Sequence, residues 1–250
     1  MKITRLSWAG LMLESGTTTL YVDPLQNVDA MRPFLGGPKW PMLPVPPPKS
    51  EVAGALVTHI HADHFDQVLL KQVLGDQGVL WAPEPVAQVA VKDGLKACNA
   101  RLYDTFYIGD FKVTPVPAVD WVGDEQVSYV ISDGVHAILH GGDTNWHGYW
   151  WSIAKRFAPL TAVFLPVNGV IGAIPGQDVF SEMQGTMDPN QAVTAARILK
   201  AGFLVPIHYG QFNNPPGYTQ FHNLDDILDL AGIEQNVGVR RLKDGESIEI

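Results

Sequence analysis

The chain has 250 residues, 46% hydrophobic and 17% charged, with 24 Gly, 19 Pro and a single Cys; this excludes collagen-like, low-complexity and disordered classes and leaves enough length to bury a substantial core. Its 17 Lys and Arg against 26 Asp and Glu give a formal charge of −9, which repels a polyphosphate backbone and sets nucleic acid aside as a partner. One Cys cannot form an internal disulfide, no run approaches the roughly 20 apolar residues of a membrane span, and Met1 to Gly10 is too mixed for a signal peptide, so a soluble, cytoplasmic chain with no membrane contact is expected.

Lys2 to Trp8 and Thr18 to Val22 are rich in β-branched and aromatic residues and predict a hairpin, with Glu14-Ser15-Gly16 as a turn and Pro24 ending the second strand. Pro33 to Pro48 holds seven prolines and two glycines in sixteen residues, a density that predicts an extended loop over about 33–50 without regular elements. Such a loop is either a connector or a wall over a pocket. Ala53 to Thr58 is a short apolar run, read as a strand buried on both faces. A helix follows from Asp66, a good N-cap, to Gly75; then come a strand at Gly78 to Ala82 and a helix at Pro85 to Gly94. Tyr107 to Pro117, Val127 to Ser132 and Val135 to Leu139 read as strands, the last two joined at Asp133-Gly134. Ala162 to Val167 and Phe203 to Ile207 are buried strands, with a helix between them over Asn190 to Lys200 that starts at Asp188-Pro189. Leu224 to Ala231 predicts a last helix and Val237 to Ile250 a closing strand pair. No internal linker appears, so residues 1–250 read as one domain of two facing sheets with helices outside.

The chemistry is concentrated in His59-x-His61-x-Asp63-His64, directly after a buried strand. On an extended chain, residues two apart share a side, so His59, His61 and Asp63 converge, and His64 joins them if the chain turns there. Three imidazoles and a carboxylate in so short a stretch suit a transition metal. Further ligands belong at the ends of other buried strands, where Asp120, Asp143 and His208 each cap an apolar run.

Thr58-His59-x-His61-x-Asp63-His64, Gly142-Asp143-Thr144 and Pro206-Ile207-His208-Tyr209 together resemble the metallo-β-lactamase superfamily over essentially the whole chain. Leu20-Tyr21-Val22-Asp23-Pro24, Leu165-Pro166-Val167-Asn168-Gly169 and Met187-Asp188-Pro189 are similar to its L-ascorbate-6-phosphate-lactonase-like branch of metal-dependent hydrolases. The resemblance implies an α/β fold, a four-layer αββα sandwich, with two divalent ions (Zn, Mn or Fe) at the edge between its sheets. It assigns His59 and His61 to one ion, Asp63, His64 and His208 to the other, and Asp143 to both. Asp120 departs from the family, which usually has His after Pro-Ala-x; it either ligates as a carboxylate, favouring a harder ion, or weakens that half of the site.

These residues imply hydrolysis by a metal-bound hydroxide, with Asp63 also orienting the nucleophile or shuttling its proton. No Gly-x-Ser-x-Gly elbow supports covalent serine catalysis. Asn168, His147 and His222 are candidate substrate contacts, or else a turn residue before Gly169 and two surface histidines; Asp23 is either a carboxylate behind a ligand His or a turn cap before Pro24, and Trp146, Trp150 and Trp151 are either pocket wall or core. The expected substrate is a small lactone, ester or phosphorylated sugar derivative, for which Arg32 and Lys39 are the candidate anchors. The alternatives are a metallo-phosphodiesterase or nuclease, and a catalytically weak metal-binding sensor or scaffold. Family habit suggests a homo-oligomer.

Overall fold

The computed structural model describes residues 1–50, 52–174 and 176–250. In chain order they begin with β1 (Lys2–Arg5), β2 (Leu11–Ser15), β3 (Thr18–Val22), α1 (Arg32–Leu35), β4 (Val52–Leu56), α2 (Gln67–Leu74), β5 (Val79–Ala82), α3 (Glu84–Lys92) and β6 (Ala97–Asn99). There follow β7 (Phe106–Ile108), β8 (Phe111–Pro117), β9 (Val127–Ser132), β10 (Ala137–His140), α4 (Trp150–Phe157), β11 (Ala162–Pro166) and β12 (Ile171–Gly172). The chain ends with α5 (Pro189–Ile198), β13 (Leu204–Ile207), β14 (Tyr218–Thr219), α6 (Leu224–Gln235) and β15 (Ser247–Glu249).

One sheet runs β15-β1-β2-β3-β4-β5-β6 and the other β13-β11-β10-β9-β8-β7, with β12 and β14 as a separate ribbon. Each sheet joins an antiparallel meander to parallel strands, and the parallel crossovers carry the helices. Alternation along the strands divides the apolar residues between layers. Ile3, Leu13, Leu20 and Val22 of the first sheet meet Phe111, Tyr129, Ile131, Phe164 and Val205 of the second in a core between them. Met12 and Tyr21 turn the other way, under Leu70, Val73 and Val86 of α2 and α3. Val116, Val130, Leu139 and Val163 do the same under Trp150, Ile153, Val193 and Leu228 of α4, α5 and α6. The result is the expected four-layer αββα sandwich. Among the described residues no helix is long and apolar enough to cross a membrane.

Several local expectations need correction. The opening is a three-stranded meander, because Leu11–Ser15 forms β2 between the two strands read from sequence. The Pro-rich segment does contain a regular element: α1 includes Pro33, which sits near the helix start, where its missing N–H costs nothing. Tyr107 to Pro117 splits at Gly109-Asp110 into the hairpin β7–β8. The closing pair is one strand, β15, on the edge beside β1, plus an isolated bridge from Val239 to Leu204. The caps are where the sequence puts them. Asp66 accepts Leu69 N–H at 3.0 Å, and Asp188 forms a capping box with Gln191.

Candidate metal centre

The same edge of both sheets collects the polar strand ends. β3 runs into Asp23, β4 into Thr58 and the His59–His64 stretch, β8 into Asp120, β10 into Asp143, β11 into Asn168 and β13 into His208. Three residues here hold left-handed backbone, Trp8 (φ 61°), Asp23 (φ 43°) and His208 (φ 55°). Such conformations cost of order 1–3 kcal/mol each and collect at functional sites. Gly142 (φ 63°) is required for a further reason, since a Cβ there would lie 3.0 Å from Thr58 Oγ1 and Gln126 Nε2.

The cluster consists of seven side chains. His59, His61 and Asp120 offer donor atoms within 4.8 Å of one another, as do Asp63, His64 and His208, and as do His59, His64 and Asp143. Asp143 lies between the first two groups: Oδ1 is 3.6 Å from His59 Nε2, and Oδ2 is 3.8 Å from His64 Nε2 and 3.9 Å from His208 Nε2. Asp63 Oδ2 is 3.5 Å from His208 Nε2 and 3.7 Å from His64 Nε2, and Asp120 Oδ2 is 3.8 Å from His61 Nδ1. The structure thus brings together all seven residues expected from the sequence.

Whether they suit a metal is decided by the imidazole tautomers. His64 Nδ1 donates to Asp23 Oδ2 at 2.7 Å. Thr58 Oγ1 gives its proton to the same oxygen and therefore accepts from His59 Nδ1, at 3.0 Å. His208 Nδ1 faces Asn168 Oδ1 at 3.3 Å, and His61 Nε2 faces Asp124 Oδ2 at 3.1 Å. Each ring spends one nitrogen on a neighbour and turns the other into the cluster. There His59 Nε2, His64 Nε2, His208 Nε2 and Asp120 Oδ2 are buried without any hydrogen-bond partner. Orphaned buried groups of this kind are expensive unless something binds them. Cations held in the two half-sites would satisfy these atoms, so the residues fit a metal.

The electrostatics agree. Burial disfavours a charged His64, but Asp63, Asp23 and Asp143 outweigh it and push the imidazole up to about 10. Burial, helped by the neighbouring His64 and His61, carries His59 down to about 4 against the pull of Asp143. Burial also raises Asp143, yet His59, His64 and His208 bring it down to about 2, and Asp63 falls below the usual carboxylate range for similar reasons. Asp120 rises, first by burial and then by the nearby Asp143. The three carboxylates around His64 thus favour positive charge at this point, the charge that a bound cation would supply.

Beside the cluster opens a cavity of about 600 Å³, with His61, Asp63, Asp143 and His208 at its floor. Phe34, Leu35, Trp121, Val170, Ile174 and Tyr218 form its walls. Phe34 packs edge-on against Tyr218 at 5.3 Å, and Asn214 Nδ2 anchors the Phe34 carbonyl at 3.0 Å, so α1 makes the Pro-rich segment's start a wall.

The candidate substrate contacts lie elsewhere. Asn168 is fully buried behind the cluster, holding Thr186 Oγ1, Tyr218 OH and His208. His147 is stacked on Trp150 at 4.2 Å, away from the cavity lining, and His222 is exposed against Phe221. Trp150 is core, Trp151 exposed, and neither these nor Trp146 line the cavity. Sequence reading missed Trp8, whose Nε1 donates to Asp63 Oδ2 at 3.0 Å, and Gln126, whose Nε2 donates to Asp143 Oδ1 at 2.8 Å. It also missed the cavity aromatics; only the place of Trp121, next to Asp120, was a usable signal.

A four-layer αββα sandwich with a buried His/Asp cluster where its two sheets meet defines a class of metal-binding proteins. The chain belongs to the metallo-β-lactamase superfamily: the family model described as the beta-lactamase superfamily domain matches residues 18–209. A protein of Methanoculleus marisnigri, described as a UPF0173 metal-dependent hydrolase, is 28% identical over 98% of this chain and 96% of its own. Among solved structures, Igni18, a metallo hydrolase from Ignicoccus hospitalis, has a TM-score of 0.70 at 17% identity, covering 100% of this chain and 98% of its own. A possible metal-dependent hydrolase from Veillonella parvula has a TM-score of 0.76 at 15% identity, covering 100% and 99%. Both structures share the fold.

Proposed function

We propose that the chain is a metal-dependent hydrolase of uncharged, apolar small-molecule esters or lactones. Relatives named as metal-dependent hydrolases support the general reaction. The observation that carries the substrate class is the cavity, whose described lining contains no Lys or Arg. Arg32 is turned to Asp29 at 2.7 Å, and neither it nor Lys39 reaches the lining. Bound ions would meet part of a phosphoryl group's charge, but no side-chain cation of the described lining is there for the rest, which favours uncharged substrates over sugar phosphates and phosphodiesters.

When bound, divalent ions supply Lewis acidity at the substrate carbonyl and lower the pKa of water to near neutrality. The chain's own part is placement. The Trp8 indole fixes Asp63, and His64 and His208 keep that carboxylate ionised, so it orients a proton and holds one only in passing. Gln126 holds Asp143 at the junction of the two half-sites. Phe34, Trp121 and Tyr218 pack the apolar part of the substrate and exclude water.

The test is turnover by the metal-loaded protein of p-nitrophenyl esters from acetate to octanoate, alkyl γ-lactones, and bis-p-nitrophenyl phosphate. Each buried methylene is worth about 0.8 kcal/mol, so kcat/KM should rise about fourfold per methylene until the cavity is full. His61→Ala and Asp143→Ala should abolish turnover. Faster turnover of the phosphodiester, or none of any substrate with metal bound, overturns the proposal.

A further inference from the structure

We infer that the cluster is built for two like ions of the harder kind, Fe(II) or Mn(II), and that Asp120 is the residue that makes its halves alike. The inference rests on the reading of the cluster as a metal centre, and is independent of the substrate.

Its basis is the inventory of donor atoms. One half offers His59, His61 and Asp120, the other His64, His208 and Asp63. Each is two imidazoles and one carboxylate, and Asp143 presents one oxygen toward each half. Two His and one carboxylate with open positions is a donor set suited to non-haem Fe(II), and carboxylate oxygen suits Mn(II) better than soft ligands do. A tetrahedral zinc site is served well by three imidazoles, which a histidine at 120 would complete in the first half.

Asp120 is prepared for this part. Its Oδ1 accepts the backbone N–H groups of Val122 and Asp124, both at 2.9 Å. These bonds tie the 120–124 turn to the carboxylate and fix its direction. They leave Oδ2 buried, without a partner, facing His61 Nδ1. A carboxylate that merely capped the turn would have no reason to keep its second oxygen in that position. Charge points the same way. Asp63, Asp120 and Asp143 set three negative charges against the four positive charges of two divalent ions, leaving an excess that a single small anion balances.

The test is metal competition. Apoprotein is refilled without oxygen from an equimolar mixture of Fe(II), Mn(II) and Zn(II), and its metals are counted by plasma mass spectrometry. Zn(II) has the intrinsic advantage at most N/O sites, so the readout is the change in ratio among variants. Asp120→His should raise the Zn-to-Mn ratio at least tenfold, and Asp120→Glu should stay within twofold of wild type. Wild type loaded with Mn(II) alone should give the multiline electron paramagnetic resonance signal of a coupled pair, and Asp120→Asn the six-line signal of an isolated ion. The wild-type spectrum decides whether two ions pair, and Asp120→Glu against Asp120→His decides the preference, with melting of each apoprotein to show that the variants fold. An unchanged ratio in Asp120→His, or an isolated-ion spectrum in wild type, overturns the inference and leaves the hydrolase standing. Failure to bind any of the three metals removes the metal-centre reading itself.

Discussion

Four imidazoles meet in the cluster, and each arrives with its tautomer chosen by a neighbour. Asp23 does this for two of them, directly for His64 and through the Thr58 hydroxyl for His59. It also takes the Thr58 N–H at 2.8 Å, so one carboxylate sets both the backbone and the rings of the motif. Asp23→Asn should therefore weaken metal binding about 10–100-fold, the usual effect of losing such a partner, while the ligands all remain. Titration of the apoprotein with Zn(II) or Mn(II) measures this; an affinity equal to wild type would show Asp23 to be only a turn residue before Pro24. The ligands themselves were readable because six consecutive positions carry four of them and the others end apolar runs. Trp8 and Gln126 were not readable: nothing local marks a tryptophan near a chain reversal as the partner of a carboxylate 55 positions away.

Elements were legible where one period dominates. Strands β4, β9, β11 and β13 are apolar runs bounded by turn residues, and α5 starts at a capping box written in the sequence. The failures have physical causes. β2 was hidden because the chain reverses just ahead of it, at Trp8 in left-handed backbone, where the Leu6 N–H meets the Gly10 carbonyl, and a tryptophan is no turn signal. α4 was hidden because its aromatic start, Trp150-Trp151, reads as a cluster and has no side-chain cap. His147, just ahead of α4, yields a pH prediction. It is 6% exposed, stacks on Trp150, and has neither ring nitrogen hydrogen-bonded; burial brings its pKa down to about 4. Above the unfolded value of about 6.5 both states are neutral and nothing is lost. As pH falls below it, the unfolded chain takes a proton that the folded one refuses, so stability declines until about pH 4. The full loss is about 3 kcal/mol at about 1.4 kcal/mol per unit. His147→Phe keeps the stack and removes the titration, so urea denaturation of the variant should show a flatter stability profile between pH 6.5 and pH 4. Parallel profiles for the two proteins would place the ring in contact with water.

At the scale of the molecule, the cluster joins two sheets. The first supplies His59, His61, Asp63 and His64, and the second supplies Asp120, Asp143 and His208, each from the end of a strand. The inter-sheet core holds the sheets together by apolar contact, helped by Tyr129 of β9, whose hydroxyl donates to the Val57 carbonyl beyond β4 at 2.9 Å. A metal bound across this edge adds a separate link, made only in the folded state. Its stabilisation follows mass action, about 4 kcal/mol when free metal exceeds Kd a thousandfold. For a chain of this size, about 2–4 °C in Tm corresponds to each kcal/mol. Chelation should thus lower Tm by about 8–16 °C, and returning Mn(II) or Zn(II) should restore it. The core contribution is independent. Phe164→Ala removes a fully buried ring from the inter-sheet core and should cost about 3–5 kcal/mol with or without metal. The chelation increment in that variant should equal that of wild type, because Phe164 lies within β11 and is not one of the donor residues. Differential scanning calorimetry of both proteins, with and without chelator, measures all four states. An increment that shrinks in Phe164→Ala would mean that the spacing of the sheets, and not the ligands alone, sets the geometry of the metal centre.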